Sequence, residues 1–143
     1  MMADDEILTQ LSIFVNNEPG RLAAVAGILK ECGVNMKACN LAESNEFGIL
    51  RAIVDDPDDA YERIKSKGPI VRKTDIVGIS IDNVPGSLFE AADVLGKAGI
   101  NIDYGYAYAS KDREGLFIRV DDPMKAAEVL KSAGIDIIRR SEI

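Results

Sequence analysis

The stretch LSIFVNNEPGRL at residues 11–22 returns 66 residues later as VGISIDNVPGSL at residues 77–88. The same spacing relates GVNM at 33–36 to GINI at 99–102, and DDP at 55–57 to DDP at 121–123. Three matches at one spacing indicate a duplication. They predict two copies of a module of about 66 residues, which is long for a solenoid repeat and typical of a small domain.

Hydrophobic periodicity predicts the elements of each copy. Residues 8–15 alternate as a strand does, and a turn at 16–20 separates them from an apolar stripe at helical spacing. That stripe is Leu22, Val25, Leu29 and Cys32, and its counterpart is Leu88, Ala91, Ala92 and Leu95; we expect Cys32 to be buried in the core. Strands at 34–43 and 47–54 follow, then a helix from Pro57 and a strand from Ile70. In the second copy we expect strands at 76–82, 100–109, 115–120 and 135–140, with helices at 86–98 and 123–132.

This β-α-β-β-α-β order predicts an α+β protein made of two tandem ferredoxin-like modules, 8–73 and 76–142, with their sheets side by side. Each DDP sequence predicts a helix start in which Asp is the N-cap and Pro takes the first helical position.

Composition limits the classes of function. The chain has 143 residues and a formal net charge of −7, which argues against nucleic-acid or anionic-membrane binding because both need clustered Lys and Arg. It contains no His, and Cys32 and Cys39 form no C-x-x-C motif. We therefore expect no catalytic residues, no metal site and no cofactor. No apolar run approaches the roughly 18 residues of a membrane span and no signal-peptide pattern is visible, so we expect a cytoplasmic protein.

The loop between the first strand and first helix of each copy is the strongest candidate site. Glycine at a helix start lets backbone N–H groups approach a ligand, and the helix dipole there favours a carboxylate or phosphate. Asparagine offers both donors and acceptors, which suits a zwitterion. The alternative is a plain capped turn. The candidate residues are Asn17, Pro19, Gly20, Arg21 and Leu22 in the first copy, and Asn83, Pro85, Gly86, Ser87 and Leu88 in the second.

A second pair of candidates is Asn35 and Asn101, each placed directly after the residue that follows the helix-ending glycine. A polar residue there also helps a chain to leave a helix, which is the structural alternative.

These motifs carry a resemblance. The N-x-P-G-x-L sequence, the apolar helix, the G-[VI]-N-[IM] sequence and the element order resemble the ACT domain, a small regulatory module attached to many enzymes of amino-acid biosynthesis. The whole chain is similar to small stand-alone tandem ACT proteins. In the serine-binding ACT modules of phosphoglycerate dehydrogenase, the asparagines that match Asn17 and Asn83, and Asn35 and Asn101, bind the amino acid across an interface between modules. We expect these modules to stand without an attached enzyme domain, in contrast to that enzyme.

The resemblance implies a non-catalytic sensor that holds a small-molecule amino acid at the seam between modules and acts on a metabolic enzyme or other partner that the sequence does not identify. The alternative is a protein-interaction or oligomerisation module with vestigial pockets. RNA binding uses the same topology but needs basic surroundings and exposed aromatic residues. We also expect a homodimer, because open strand edges and an uncovered sheet face carrying Leu116 and Ile118 are usually covered.

Overall fold

A computed structural model of the protein describes residues 5–44, 47–82 and 84–143. The chain divides into two compact units, which we call the first and second modules. The first is Thr9–Thr74, and the second joins Asp75–Ile143 to residues 5–8 at the start of the chain. That residues 8–73 and 76–142 form two domains stays a prediction.

Each module contains the elements that the repeat predicts. The first has β1 (Leu8–Asn16), α1 (Arg21–Glu31), β2 (Met36–Ser44), β3 (Phe47–Val54), α2 (Pro57–Ser66) and the first part of β4 (Val71–Ser80). The second has the remainder of β4, α3 (Ser87–Lys97), β5 (Ile102–Ala109), β6 (Glu114–Val120), α4 (Pro123–Ser132) and β7 (Ile137–Ile138). The predicted turn at Ser44-Asn45-Glu46 includes Asn45 and Glu46, which lie outside the described residues.

The strand order confirms the α+β, ferredoxin-like class. In the first module the order is β2-β3-β1-β4, and β3 is antiparallel to both β1 and β2. In the second module β4 lies between β7 and β6, and β5 forms the outer strand beside β6. Both orders place the first and third strands of a module at its centre, as the βαββαβ plan requires.

Apolar side chains on one face of each sheet pack against the helices of the same module. Leu11, Ile13 and Val15 alternate into the first core, where Leu29 of α1 and Ile64 of α2 meet them. The second core has the same organisation and includes Val77, Ile79, Leu95, Ile118 and Leu130. The predicted alternation of β1 and the burial of Cys32 are confirmed.

The DDP sequences cap their helices as predicted. The Asp56 side chain accepts from the backbone N–H of Asp59, and the Asp122 side chain accepts from that of Lys125. Proline follows each capping aspartate at the helix start.

Two leucines of the apolar stripes are exposed at matched positions. Leu22 is 41% exposed and Leu88 is 58% exposed, although both continue an apolar helical stripe. Each lies in the first turn of its helix.

The prediction that Leu116 and Ile118 lie on an uncovered sheet face is wrong. The register pairs Ile79 with Leu116 and Val77 with Ile118, which places both residues on the helix-facing side. Ile118 is buried in the second core, and Phe117 takes the opposite face. The expected homodimer therefore loses this support and rests on the open strand edges.

Two strands differ in length from the prediction. The last strand of the first copy and the first strand of the second form one continuous strand, β4. The predicted strand at 135–140 is only Ile137–Ile138, because the chain then forms a 3₁₀ turn in which Glu142 accepts from the backbone N–H of Arg139.

The start of the chain completes the second module. Ile7 belongs to the second core, and its carbonyl accepts from Arg140 Nε at 2.6 Å. The Glu6 carboxylate, with a side chain only 6% exposed, lies 2.6 Å from Lys131 Nζ and 3.2 Å from Arg139 Nη1. The hydrogen bond from Lys131 is the main cause that lowers the pKa of Glu6; attraction to both cations lowers it further, and burial opposes the shift.

We expect Glu6→Gln to reduce the free energy of unfolding by about 1–2 kcal/mol at pH 7. Losing one partner of a buried pair is costly, but the cations here stay partly exposed, which limits the loss. In the wild type, the stabilisation by Glu6 is fully present above the unfolded-state pKa of about 4.3 and is lost as pH falls through the lower folded-state pKa.

Denaturant unfolding from pH 7 to pH 3 checks this expectation, with Glu128→Gln on the exposed side of α4 as the control. The loss caused by Glu6→Gln should shrink as pH falls. A loss that is equal at pH 7 and pH 3 would show that the Glu6 charge does not stabilise the module.

Candidate functional site

The first module has a cavity of about 220 Å³ beside its predicted loop. The loop residues Asn17 and Glu18 and the first-turn residue Leu22 form one side. Leu41 and Glu43, near the end of β2, form the other side. The cavity therefore explains why Leu22 is not buried in the core.

The second module has a cavity of about 400 Å³ at the matched place. Val84 and Leu88 lie on its helix side, and Ala107 and Leu116 contribute from β5 and β6. Because Leu22 and Leu88 are 66 residues apart, both modules use the same first-turn leucine as a cavity wall.

Both cavities lie beside helix starts that have no side-chain cap. Gly20 and Gly86 occupy the N-cap positions with φ of 84° and 94°, a left-handed conformation that favours glycine. By contrast, Asp56 and Asp122 cap α2 and α4. The first backbone N–H groups of a helix have no acceptor within it, so those at residues 22–23 and 88–89 can serve an anionic group.

Polar side chains complete the first cavity. Asn17 Nδ2 donates to Glu43 Oε2 at 3.4 Å, which connects the loop to β2. Arg21 Nε lies 3.7 Å from Glu18 Oε2, so a cation lies next to one of the two carboxylates. Within the part of the chain that the structure describes, Glu43 has no Lys or Arg partner. An ammonium group would complement Glu43 and the Asn17 carbonyl oxygen.

The matched loop of the second module is described only in part. Asn83 lies outside the described residues. Gly86 and the side chains of Ser87 and Leu88 border the cavity. Asp82 and Glu114 supply carboxylates to its lining, which includes no Lys or Arg among the described residues.

The structure does not bring Asn35 to the Asn17 loop of its own module. The two asparagines lie at opposite ends of α1, which has eleven residues and is therefore about 16 Å long. Asn35 Nδ2 instead donates to Asp55 Oδ2 at 3.1 Å. This hydrogen bond and the nearby Lys37 ammonium hold the pKa of Asp55 below its usual value.

Asn101 has a similar local arrangement in the second module. Its backbone N–H donates to Asp121 Oδ1 at 3.2 Å, and its side-chain amide donates to Asp103 at 2.9 Å. In both modules the asparagine helps the chain to leave the helix, so the structural alternative has direct support at these positions. Ligand binding by Asn35 and Asn101 stays a prediction.

The loop motif predicts the residues on one side of each cavity, but it does not predict those on the opposite side. Leu41, Glu43, Ala107 and Leu116 come from strands, and their approach to the loop depends on register. The 66-residue spacing was the available signal, because it matches Leu41 with Ala107 and Glu43 with Ala109.

A larger polar cavity of about 590 Å³ adjoins the second cavity, and both are lined by Ile81, Asp82 and Glu114. Arg113 lines it and is paired with Asp136 at 2.9 Å and with Glu142. The backbone N–H of Arg139 and then Arg113 lower the pKa of Glu142. These ion pairs hold the two terminal nitrogens of Arg113, while Arg113 Nε is buried without a hydrogen-bond partner among the described residues.

The described residues place limits on other kinds of site. They contain no group of three His, Cys, Asp or Glu side chains arranged to hold a metal ion. None of the helices among them has the length and apolar character needed to cross a membrane.

Comparison with known proteins places the chain in a family. The family model described as an ACT domain pair matches residues 6–143. A protein from Bacteroides thetaiotaomicron has 40% sequence identity, and its structure aligns over 96% of this chain and 95% of its own with a TM-score of 0.87. A comparison with curated proteins finds no match.

More distant structures show the same fold. The ligand-free regulatory subunit of aspartate kinase from Thermus thermophilus aligns with 18% identity and a TM-score of 0.56, over 87% of this chain and 91% of its own. The corresponding subunit from Thermus flavus has 17% identity and a TM-score of 0.60, over 92% and 94%. The family match and the Bacteroides relative agree, and the chain belongs to the ACT domain pair family, whose domains are regulatory, ligand-binding modules.

Proposed function

We propose that this protein is a non-catalytic regulator that binds a free amino acid at the cavities beside Gly20 and Gly86. The observation that carries the proposal is the pair of matched cavities, each with an uncapped glycine helix start and an exposed leucine. An α-amino acid presents a carboxylate, an ammonium group and a side chain. The backbone N–H groups, the carboxylates and the apolar wall of each cavity complement those three parts.

We further propose that the complete site lies at the seam between modules, as the ACT resemblance implies. Asn17 and Asn35 lie at opposite ends of a helix about 16 Å long, so a small ligand cannot touch both in one module. A ligand that uses both kinds of asparagine must be shared by two modules.

Regulation would follow from preference for one arrangement of the protein. A ligand shifts an equilibrium between conformations only by its difference in affinity for them, and that shift can change the affinity for a partner. The chain has no His, and the described residues that line the two cavities include no Cys. This supports binding rather than catalysis.

A thermal-shift screen with the twenty amino acids, followed by calorimetry of the hits, tests the proposal. A ligand that binds only the folded state raises stability by mass action, by about 2.7 kcal/mol at one hundred times its Kd. We expect at least one amino acid to stabilise the protein. Neither stabilisation nor heat with any of the twenty would leave the protein-interaction module as the better account.

We expect Asn17→Ala to weaken binding at the first cavity by about 1–3 kcal/mol, because it removes a polar partner of the ligand. Asn83→Ala tests the second loop in the same way. Asn17→Ala should not alter the melting temperature of the ligand-free protein much, since Asn17 is exposed, and the binding hypothesis predicts the same small change for Asn83→Ala.

Calorimetry and thermal melting of each variant distinguish a ligand-binding loop from a plain capped turn. Asn40→Ala is the matched control, because Asn40 pairs with Arg51 on the face of the sheet that points away from the cavity. A variant that melts earlier but binds as well as the wild type would support the capped-turn alternative at that loop.

A further inference from the structure

The two cavities have the same place in their modules but different sizes, about 220 Å³ in the first and about 400 Å³ in the second. Binding sites for small molecules usually enclose about 300 Å³ or more, a range that only the second reaches. A difference of this size at matched positions requires different side chains in the walls.

The second strand of each module supplies that difference. Leu41 lies opposite Leu50 in the first module, and Ala107 lies opposite Leu116 in the second, so Leu41 and Ala107 occupy the same place on the helix-facing side. Two residues further along the strand, Glu43 is matched by Ala109. Two large side chains of the first cavity are therefore replaced by methyl groups in the second.

The space that these alanines leave is bordered by apolar groups. Val84 and Leu88 are 60% and 58% exposed, and Leu116 is only partly buried against the core. A ligand that covers large apolar side chains and removes them from water is bound more tightly. The carboxylates of Asp82 and Glu114 border the same cavity and can accept from an ammonium group; they also border the adjoining polar cavity, which Lys111 and Arg113 line.

We propose that the second cavity selects an α-amino acid with a large apolar side chain, whereas the first admits only a small one; the inference rests on the proposed function above. In the second cavity the ligand carboxylate lies at the N–H groups of residues 88–89. Its ammonium group faces Asp82 and Glu114, and its side chain fills the space beside Ala107 and Ala109. In the first cavity, Leu41 and Glu43 occupy that space.

Calorimetry of the full chain with L-leucine, L-phenylalanine, glycine and L-serine tests this. The decisive variant is Ala107→Leu combined with Ala109→Glu, which gives the second cavity the wall of the first. Both alanines are exposed, so the variant should fold, and circular dichroism checks that it does. We expect leucine and phenylalanine to bind it at least tenfold more weakly than they bind the wild type.

The reverse change is Leu41→Ala, which removes the larger apolar side chain and keeps Glu43 as the carboxylate partner of the ligand ammonium group. It should enlarge the first cavity and add a second binding equivalent for leucine. In the unaltered protein, methyl NMR should show leucine shifting the signals of Leu88 and Leu116, and not those of Leu22 and Leu41. This measurement keeps the test valid if a variant fails to fold.

The outcomes separate this inference from the proposed function. If glycine or serine binds but leucine and phenylalanine do not, amino-acid binding stands and this inference is overturned. It is also overturned if the altered second cavity binds leucine as tightly as before, or if leucine shifts the first-cavity methyl signals. If none of the twenty amino acids binds, both fail.

Discussion

Replacing Phe117 with alanine is expected to reduce the free energy of unfolding by about 3–5 kcal/mol, the largest loss that we predict for a single substitution. Phe117 is 0% exposed at the centre of β6. Its ring packs against Tyr106 at 5.7 Å and Tyr108 at 5.1 Å between centroids. Alanine would remove these aromatic contacts and leave a cavity that the rigid sheet cannot close.

Denaturant unfolding followed by circular dichroism measures the loss, and hydrogen exchange of the β5 and β6 amides assigns it to the second module. The control is Phe47→Ala, because Phe47 is 40% exposed and contacts Phe14 edge-on. It should cost much less. Equal losses for the two variants would contradict the burial described for Phe117.

Replacing Gly115 with alanine is expected to cost about 3 kcal/mol, at the upper end of the usual range for overpacking. A Cβ atom at this position would lie 2.5 Å from Ile138 Cδ1 and 2.6 Å from the backbone oxygen of Ile79. The isoleucine methyl can rotate away, but the carbonyl belongs to the neighbouring central strand and cannot move without disturbing the ladder.

The same unfolding measurement checks Gly115→Ala, with Gly96→Ala as its control in the same module. Gly96 lies inside α3 with nothing within 4 Å of an added Cβ, so alanine there should raise stability by up to about 1 kcal/mol. If Gly115→Ala were as stable as the wild type, the close pairing of β4 with β6 would be wrong.

Local chemistry made most of the fold predictable from the sequence. The repeat identified the module, and the Asp-Pro helix starts and glycine helix ends bounded its elements within a few residues. The exposure of Leu22 and Leu88 could not be predicted from periodicity, which shows which face of a helix is apolar and not whether anything covers its first turn. The prediction for Leu116 failed for a related reason, because the side of the sheet on which a strand residue lies depends on the register of strand pairing.

The candidate site was predictable only in part, for similar physical reasons. The N-x-P-G-x-L motif indicates a loop and a helix start, which are local. The opposite wall, with Leu41 and Glu43 or their alanine counterparts, is brought close by strand pairing across many residues. The attachment of Glu6 and Ile7 to the second module is another long-range contact that no local pattern predicts.

The central claim is that the matched cavities bind an amino acid, and a crystal structure of the protein with the amino acid that stabilises it best tests this most directly. We predict electron density in a cavity beside Gly20 or Gly86, with the ligand carboxylate at the helix N–H groups and its side chain against Leu22 or Leu88. Density for the amino acid at another place, with both cavities empty, would contradict the account.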